Sequence, residues 1–334
     1  MERITIIGLR PVGVSLGLAL KRAGLASTEI VGTDGDRKAL DYASNSDAVD
    51  ETTGNLRRAL DGAQLVVIDM PIAQTRELLE AIGPVLETGC VVVDISLAQG
   101  QVAALAQEHL PDTAAFVGGR PLPWKPLTSL DDAGEDVFDG TFFCVLPSRS
   151  ADENSVKTVV GLVEMLGATP LFMDAAEHDS YSAAVSFLPT VLSSALVNAT
   201  SASPSWKDIS RLAGQEFAEA SRLASDDPKE SGAMAAALGG PLVHWIDRMI
   251  AGLGEARKQL ADANPDIESH FVRAWEERAK WEAGGVGETK GVDMPSAAQT
   301  MAGVVLSNRM VERYRQISES KRKAPWEYPG RQGY

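Results

Sequence analysis

A chain of 334 residues, 44% hydrophobic and 23% charged, carries enough apolar material for two domains with substantial cores. Its net charge of -15 and pI near 4.8 exclude nucleic acid as a general partner, because a phosphate backbone would be repelled. An anionic small molecule would have to be captured by a local group of Arg and Lys. No basic leader precedes an apolar run at the start, and no apolar stretch reads as long enough to cross a bilayer, so the expectation is a cytoplasmic protein with no membrane partner.

The opening residues carry the densest signal. A β-branched run, Ile4 to Ile7, ends in the turn Gly8-Leu9-Arg10-Pro11-Val12-Gly13, and a small-residue helix follows over 12–23. A second apolar run, Glu29 to Gly32, leads to Asp34. A β-α-β unit with an acid after its second strand places a dinucleotide pyrophosphate on the helix N-terminus and the ribose on the carboxylate. The candidate cofactor residues are therefore Gly8, Leu9, Arg10, Val12, Gly13 and Asp34, and the expected cofactor is NAD or NADP. Arg10 stands where the G-x-G-x-x-G pattern has its middle glycine. It either pairs with a phosphate or obstructs the dinucleotide. Asp34 also reads as a helix-capping acid, and Arg37 would tolerate a 2′-phosphate.

Strand signals recur at 3–8, 29–33, 64–69, 90–95, 114–118 and 141–146, with helices at 12–23, 36–44, 73–82 and 98–108 between the first five. This alternation predicts an α/β fold with a Rossmann-type doubly wound, mostly parallel sheet. Met70 and Pro71 follow the third strand and Asp94 closes the fourth, so these residues should line the crevice. A helix at 153–166 and a strand at 168–173 complete the first domain, 1–174. From Glu177 the pattern becomes all-helical, over 178–199, 206–224, 230–263 and 266–283, giving a second domain at 175–284. The helix Tyr181 to Ala199 is apolar on most faces, which implies burial among helices or in a dimer. A linker at 284–288, a helix at 296–319 and a polar tail form an extension, 285–334. Cys90 and Cys144 read as buried free thiols. The four histidines, at 109, 178, 244 and 270, are too scattered for a zinc site, and no metal is expected.

Glu177-His178-Asp179 is followed by Ser186-Phe187-Leu188-Pro189, and Leu212-Ala213-Gly214-Gln215-Glu216-Phe217 by Ser221-Arg222-Leu223-Ala224-Ser225-Asp226-Asp227-Pro228. On these motifs, residues 3–283 resemble the prephenate/arogenate dehydrogenase family of tyrosine biosynthesis. Phe116 to Leu122 is similar to the family's substrate loop. The resemblance implies oxidative decarboxylation: a hydride leaves the hydroxyl-bearing ring carbon for the nicotinamide, a general base takes the hydroxyl proton, and CO2 departs. It also implies a homodimer through the helical domain and a small anionic substrate.

Several matched positions are changed. Arg120 stands where the family's base histidine would be, and a guanidinium cannot accept a proton at physiological pH. Leu97 replaces a polar serine, and Phe187 and Thr190 replace two histidines. The sequence leaves His178 as the candidate catalytic histidine, with a structural role at a helix end as its alternative. Arg222, Arg120 and Lys125 are the candidate anion-binding groups, Arg222 having a helix ion pair with Asp226 as its alternative. Two readings follow, an active oxidoreductase with a displaced base and a catalytically silent relative that binds a ligand or partner. A β-hydroxyacid or imine reductase is disfavoured because the helix 178–199 carries no lysine.

Overall fold

The computed structural model describes residues 2–25, 27–262 and 266–282. They divide into two compact units. Among the described residues, one takes in the chain up to Ser182 together with Asp226–Ala237; the other takes in Ala183–Ser225 and the residues from Leu238 to Glu282.

The first unit is built on one sheet. Its strands are β1 (Glu2–Ile7), β2 (Thr28–Thr33), β3 (Glu51–Thr53), β4 (Leu65–Ile68), β5 (Val91–Asp94), β6 (Ala115–Pro121), β7 (Phe142–Pro147) and β8 (Thr169–Phe172), in the order 3-2-1-4-5-6-7-8. Neighbours run parallel except β6 and β7. Strand order reverses between β1 and β4, which opens a crevice at their carboxyl ends. The connecting helices are α1 (Pro11–Ala23), α2 (Arg37–Asn45), α3 (Leu56–Leu60), α4 (Thr75–Ile82), α5 (Gln99–His109) and α6 (Glu153–Met165). The central strands β4 and β5, Leu-Val-Val-Ile and Val-Val-Val-Asp, are buried throughout, as strands covered on both faces must be. Cys90 and Cys144 are free and buried.

The expected doubly wound sheet is therefore present, with three differences. Strand β3 and helix α3 span three and five residues, too short for a periodic signal. Strand β6 runs on to Pro121 because it pairs antiparallel with β7, Arg120 lying opposite Cys144. Arg120 is thus a strand residue rather than a loop residue.

The chain then enters α7 (Ala175–Ser182), a single π turn (Ala183–Phe187) and α8 (Leu188–Ser201), where one helix over 178–199 was expected. This continuous run, Ala175–Ser201, is long and apolar enough by length and composition to cross a membrane, with a mean hydropathy of 1.4. That corrects the expectation that no stretch qualifies. Its charged residues, Glu177 and Asp179, sit in the first turns and leave the remainder uncharged. Helix α7 packs on α5 and belongs to the first compact unit, which runs to Ser182.

In the second unit the expected helix 206–224 breaks into α9 (Trp206–Ile209) and α10 (Gln215–Ser221), with Gly214 extended at the start of α10. Helix α11 (Pro228–Leu260) bends at Gly239, whose φ of 33° and ψ of -110° are non-helical, two residues before Pro241. Helix α12 (Glu268–Glu282) follows. The expected linker 284–288, the helix 296–319 and the polar tail lie outside the described residues.

Candidate functional site

The first wall of the crevice is the turn between β1 and α1. Gly8 has φ +91°, and a Cβ there would run into the Asp69 carbonyl; a Cβ on Gly13 would meet the Gly8 carbonyl. Both positions need glycine because backbone meets backbone. The Leu9 side chain is fully buried, and its amide donates to Asp34 Oδ2 at 2.7 Å while the Asp36 amide donates to Asp34 Oδ1 at 2.7 Å. Asp34 therefore ties the end of β2 to the glycine turn and leads into α2.

Helix α1 begins with Pro11 after Arg10, with no side-chain cap and no acid in its first turn. The Gly13 amide donates to Asp69 Oδ2 at 2.8 Å. The Arg10 and Val12 amides have no hydrogen-bond partner among the described residues. They are the donors that a helix of this length offers to an anion. The Arg10 guanidinium pairs with Glu230 of α11 at 2.8 Å, the two side chains being 41% and 36% exposed. Met70 places its sulfur against Gly8, and Pro71 opens the turn into α4.

The second wall is formed by the ends of β4, β5 and β6. Here Asp69, Asp94 and Arg120 are brought together. Burial pushes the Asp69 carboxyl above its ordinary value, opposed by Arg10, by the Gly13 amide and by Arg120. Burial also pushes Asp94 up to about 6, opposed by hydrogen bonds from Ser96 and Gln99. Burial draws the Arg120 guanidinium below the usual arginine range, with Asp69, Cys144 and Asp94 acting in the other direction. Arg120 Nη1 donates only a long bond, 3.5 Å, to the Ile95 carbonyl. Its enclosed Nε, Asp94 Oδ2, Ser96 Oγ and Gln99 Oε1 all lack a partner among the described residues. Four enclosed, unsatisfied polar atoms on one wall are uncommon in a folded interior and mark a polar binding surface.

Gln99 organises this wall. Fully buried, its amide nitrogen lies 3.1 Å from the Asp94 carbonyl, 2.8 Å from that of Ser96 and 3.1 Å from that of Gly119. It thereby fixes the β5 exit against the strand that carries Arg120.

His178 lies behind the wall. Its ring is 2% exposed; Nδ1 is 3.1 Å from Asp179 Oδ1 and Nε2 is 3.2 Å from Ser182 Oγ. Asp179 in turn accepts the Gln99 amide at 2.8 Å and the Gly100 amide at 2.8 Å, capping α5. With both nitrogens engaged and the ring enclosed, the imidazole supports a helix end. This geometry favours the structural alternative over the catalytic one.

Of the other candidate residues, Lys125 holds its ammonium 5.6 Å from the Trp124 ring, on the loop after β6. That loop is tied to α1 by the Gly134 amide, which donates to Ser15 Oγ at 3.2 Å. Arg37 is exposed and pairs loosely with Asp41. Arg222 belongs to the other compact unit, exposed at the start of a 3₁₀ turn after α10, and makes no ion pair with Asp226. Sequence reasoning put the turn Asp69-Met70-Pro71 on the crevice and missed Gln99, Asp179 and Glu230 as site residues. Asp179 stood inside a segment already singled out, whereas nothing local connects Glu230 to a turn 220 residues away.

A cavity of about 600 Å³ opens at the opposite end of the sheet, among Arg3, Gln64, Cys90, Ala114 and their neighbours. It lies at the amino ends of the strands, where open α/β sheets do not bind their ligands, and its polar groups serve local contacts.

Residues 16–171 match the family described as "Prephenate dehydrogenase, nucleotide-binding domain", and residues 174–276 match "Prephenate dehydrogenase, dimerization domain". The chain is 25% identical over 229 residues to a prephenate dehydrogenase of Bacillus subtilis, covering 68% of this chain and 62% of that one. It is 28% identical over 199 residues to one from Lactococcus lactis, covering 59% and 53%. It thus spans less than two thirds of either relative. The solved prephenate dehydrogenase of A. aeolicus, in complex with hydroxyphenyl propionate and NAD+, superposes with a TM-score of 0.76 at 21% identity, covering 84% of this chain and 98% of that one. That likeness shows the fold.

Proposed function

Because this chain belongs to the prephenate dehydrogenase family, we propose that it is an NAD(P)-dependent oxidoreductase that aromatises a cyclohexadienyl acid, prephenate or arogenate, in the cytoplasmic synthesis of tyrosine. The observation that carries this reading is the glycine turn with Asp34: a backbone cradle that any Cβ would fill, two open amides, and a carboxylate at the end of β2. These residues fit a dinucleotide. Leu9, Arg10 and Val12 would hold its phosphates and Asp34 its ribose, while Met70, Pro71 and Asp94 line the way to the nicotinamide, which supplies the hydride acceptor.

The substrate side falls to the cations. Arg120 offers a guanidinium whose enclosed Nε has no partner among the described residues, and a guanidinium suits a carboxylate. Lys125 and Arg222 are the further anion-binding groups in this reading. In this reading the hydroxyl proton passes to water, Arg120 being a permanently protonated guanidinium and both His178 nitrogens being engaged. Ionised Asp94 contributes differently. Its negative charge favours the positive charge left on the ring carbon as hydride departs, and in a water-poor crevice such an effect is large.

The helical unit supports a homodimer. Val185, Ile250, Leu253, Phe271, Trp275 and Trp281 are each more than half exposed, an apolar surface larger than solitary side chains explain.

Purified protein mixed with prephenate or arogenate and NAD+ or NADP+ should generate reduced cofactor. If the dinucleotide binds but no pairing turns over, the silent reading takes its place. That reading has its own support in Arg120 and in the engagement of both His178 nitrogens.

A further inference from the structure

Two groups in the β1–α1 turn are suited to a pyrophosphate: the N-terminal amides of α1 and the Arg10 guanidinium. One of these amides, that of Gly13, and the guanidinium are already engaged by carboxylates of the chain, while the Arg10 and Val12 amides stay open. Asp69 holds the Gly13 amide at 2.8 Å, and Glu230 holds Arg10 at 2.8 Å. Glu230 is not remote from the turn, for its charge is felt at Asp69 together with those of Arg10 and Arg120. A dinucleotide settling here brings two negative charges toward Asp34, Asp69 and Glu230. Arg10 is the only cation among the residues of the turn itself. Its bond to Glu230 comes from one nitrogen, Nη2, and a phosphate that takes the guanidinium by its paired terminal nitrogens competes for that donor.

We propose that Arg10 is the pyrophosphate-binding cation of this chain and that Glu230 holds it in reserve. On this view dinucleotide binding proceeds by exchange, Arg10 leaving the carboxylate of α11 for the phosphate. The pair is built for exchange. It is half exposed, and such pairs are weak enough to be displaced. Glu230 is carried by the first turn of a long helix, its amide bonded to Asp227 Oδ1 at 3.1 Å, so the carboxylate is presented from a fixed backbone. The bulky residue in place of the turn's middle glycine is then a functional substitution and not an obstruction. This inference rests on the dinucleotide reading above.

Calorimetric titration of the full-length chain and three variants with NAD+ tests it. Glu230→Gln should lower Kd by about fivefold, the scale of an exposed ion pair. Arg10→Ala should raise Kd by about tenfold. In the Arg10→Ala background, Glu230→Gln should change Kd by less than about twofold, because Glu230 acts through Arg10. Binding by Glu230→Gln where the parent chain shows none would also support the exchange. An unchanged Kd in Glu230→Gln, with the parent binding normally, overturns the inference and leaves the dinucleotide reading intact. So does tighter binding by Arg10→Ala, or an undiminished Glu230→Gln effect without Arg10, which would mean direct repulsion of phosphate. If none of the four proteins binds NAD+, both readings fall.

Discussion

Asp179 and Gly100 meet across 79 residues of chain, the carboxylate Oδ2 accepting the Gly100 amide at 2.8 Å. Gly100 is glycine because a Cβ would stand 2.9 Å from that oxygen. The other oxygen accepts the Gln99 amide and lies 3.1 Å from the His178 ring. The residue that caps α5 is thus supplied by α7, and the cap holds the same Gln99 whose side chain fixes the turn after Asp94.

Asp179→Ala should therefore cost about 1–2 kcal/mol, the worth of a helix N-cap, measured by urea unfolding. His178→Gln should lower stability as well. Its kcat should stay within about threefold of the parent if the ring, with both nitrogens engaged, serves packing rather than proton transfer. A His178→Gln protein that is fully folded yet has lost a thousandfold in rate would return the histidine to the chemistry.

Asp94 ties stability to pH. Its folded pKa is about 6 against an ordinary 3.8, so the folded state binds the proton more tightly than the unfolded chain. Stability is then highest while the group is protonated, falls as pH rises from about 4 to about 6, and is level above. A shift of about two units corresponds to about 3 kcal/mol. The stability of the parent minus that of Asp94→Asn should fall by about this amount across the window. In the proposed chemistry the same ionisation raises activity through about pH 6, and Asp94→Asn should remove that limb of the rate profile.

The sheet could be read from the sequence because its central strands, β4 and β5, are short apolar runs and strand signals alternate with helical stretches. Its small edge elements, β3 and α3, could not. The crevice was legible where glycine and acid sit at fixed offsets, as at Gly8, Gly13 and Asp34. The pairings of Asp179 with Gly100 and of Glu230 with Arg10 join residues far apart in sequence, and no local pattern announces them. Arg120 was visible as a departure from a motif. Its place within β6 depends on an antiparallel partner, β7, that chemistry alone does not predict.

Gly8 should tolerate no larger residue. At Gly8 an added Cβ faces both a positive φ and the Asp69 carbonyl, and the neighbour is backbone that cannot swing aside. Gly8→Ala should lose about 3 kcal/mol or more of stability, seen as a fall in the urea midpoint, while Gly35→Ala, with open space around it, should fall within about 1 kcal/mol of the parent.

The exposed apolar side chains of the helical unit predict association. Ile250 and Leu253 on α11 are each 61% exposed. Placing Glu at both should shift the mass measured by light scattering from dimer to monomer, leaving the far-ultraviolet circular dichroism of the helices unchanged. Retention of the dimer would move the interface to another face.

Arg120 separates the two functional readings. As a carboxylate clamp it contributes charge-assisted hydrogen bonds, each worth about 1.5–3 kcal/mol. Arg120→Ala should then raise KM for the anionic substrate by about tenfold or more. Binding that is equal in ground and transition states changes KM and spares kcat, so kcat should stay within about threefold. Arg120→Lys should not rescue KM, because an ammonium cannot present the planar fork. Loss confined to kcat would instead place the guanidinium on charge that develops only during reaction. Should the chain prove silent, the same variants report through calorimetry with prephenate, and Arg120→Ala should abolish the heat of binding. An Arg120→Ala protein that binds and turns over like its parent would detach this arginine from the substrate and leave it a buried counter-ion to Asp69 and Asp94.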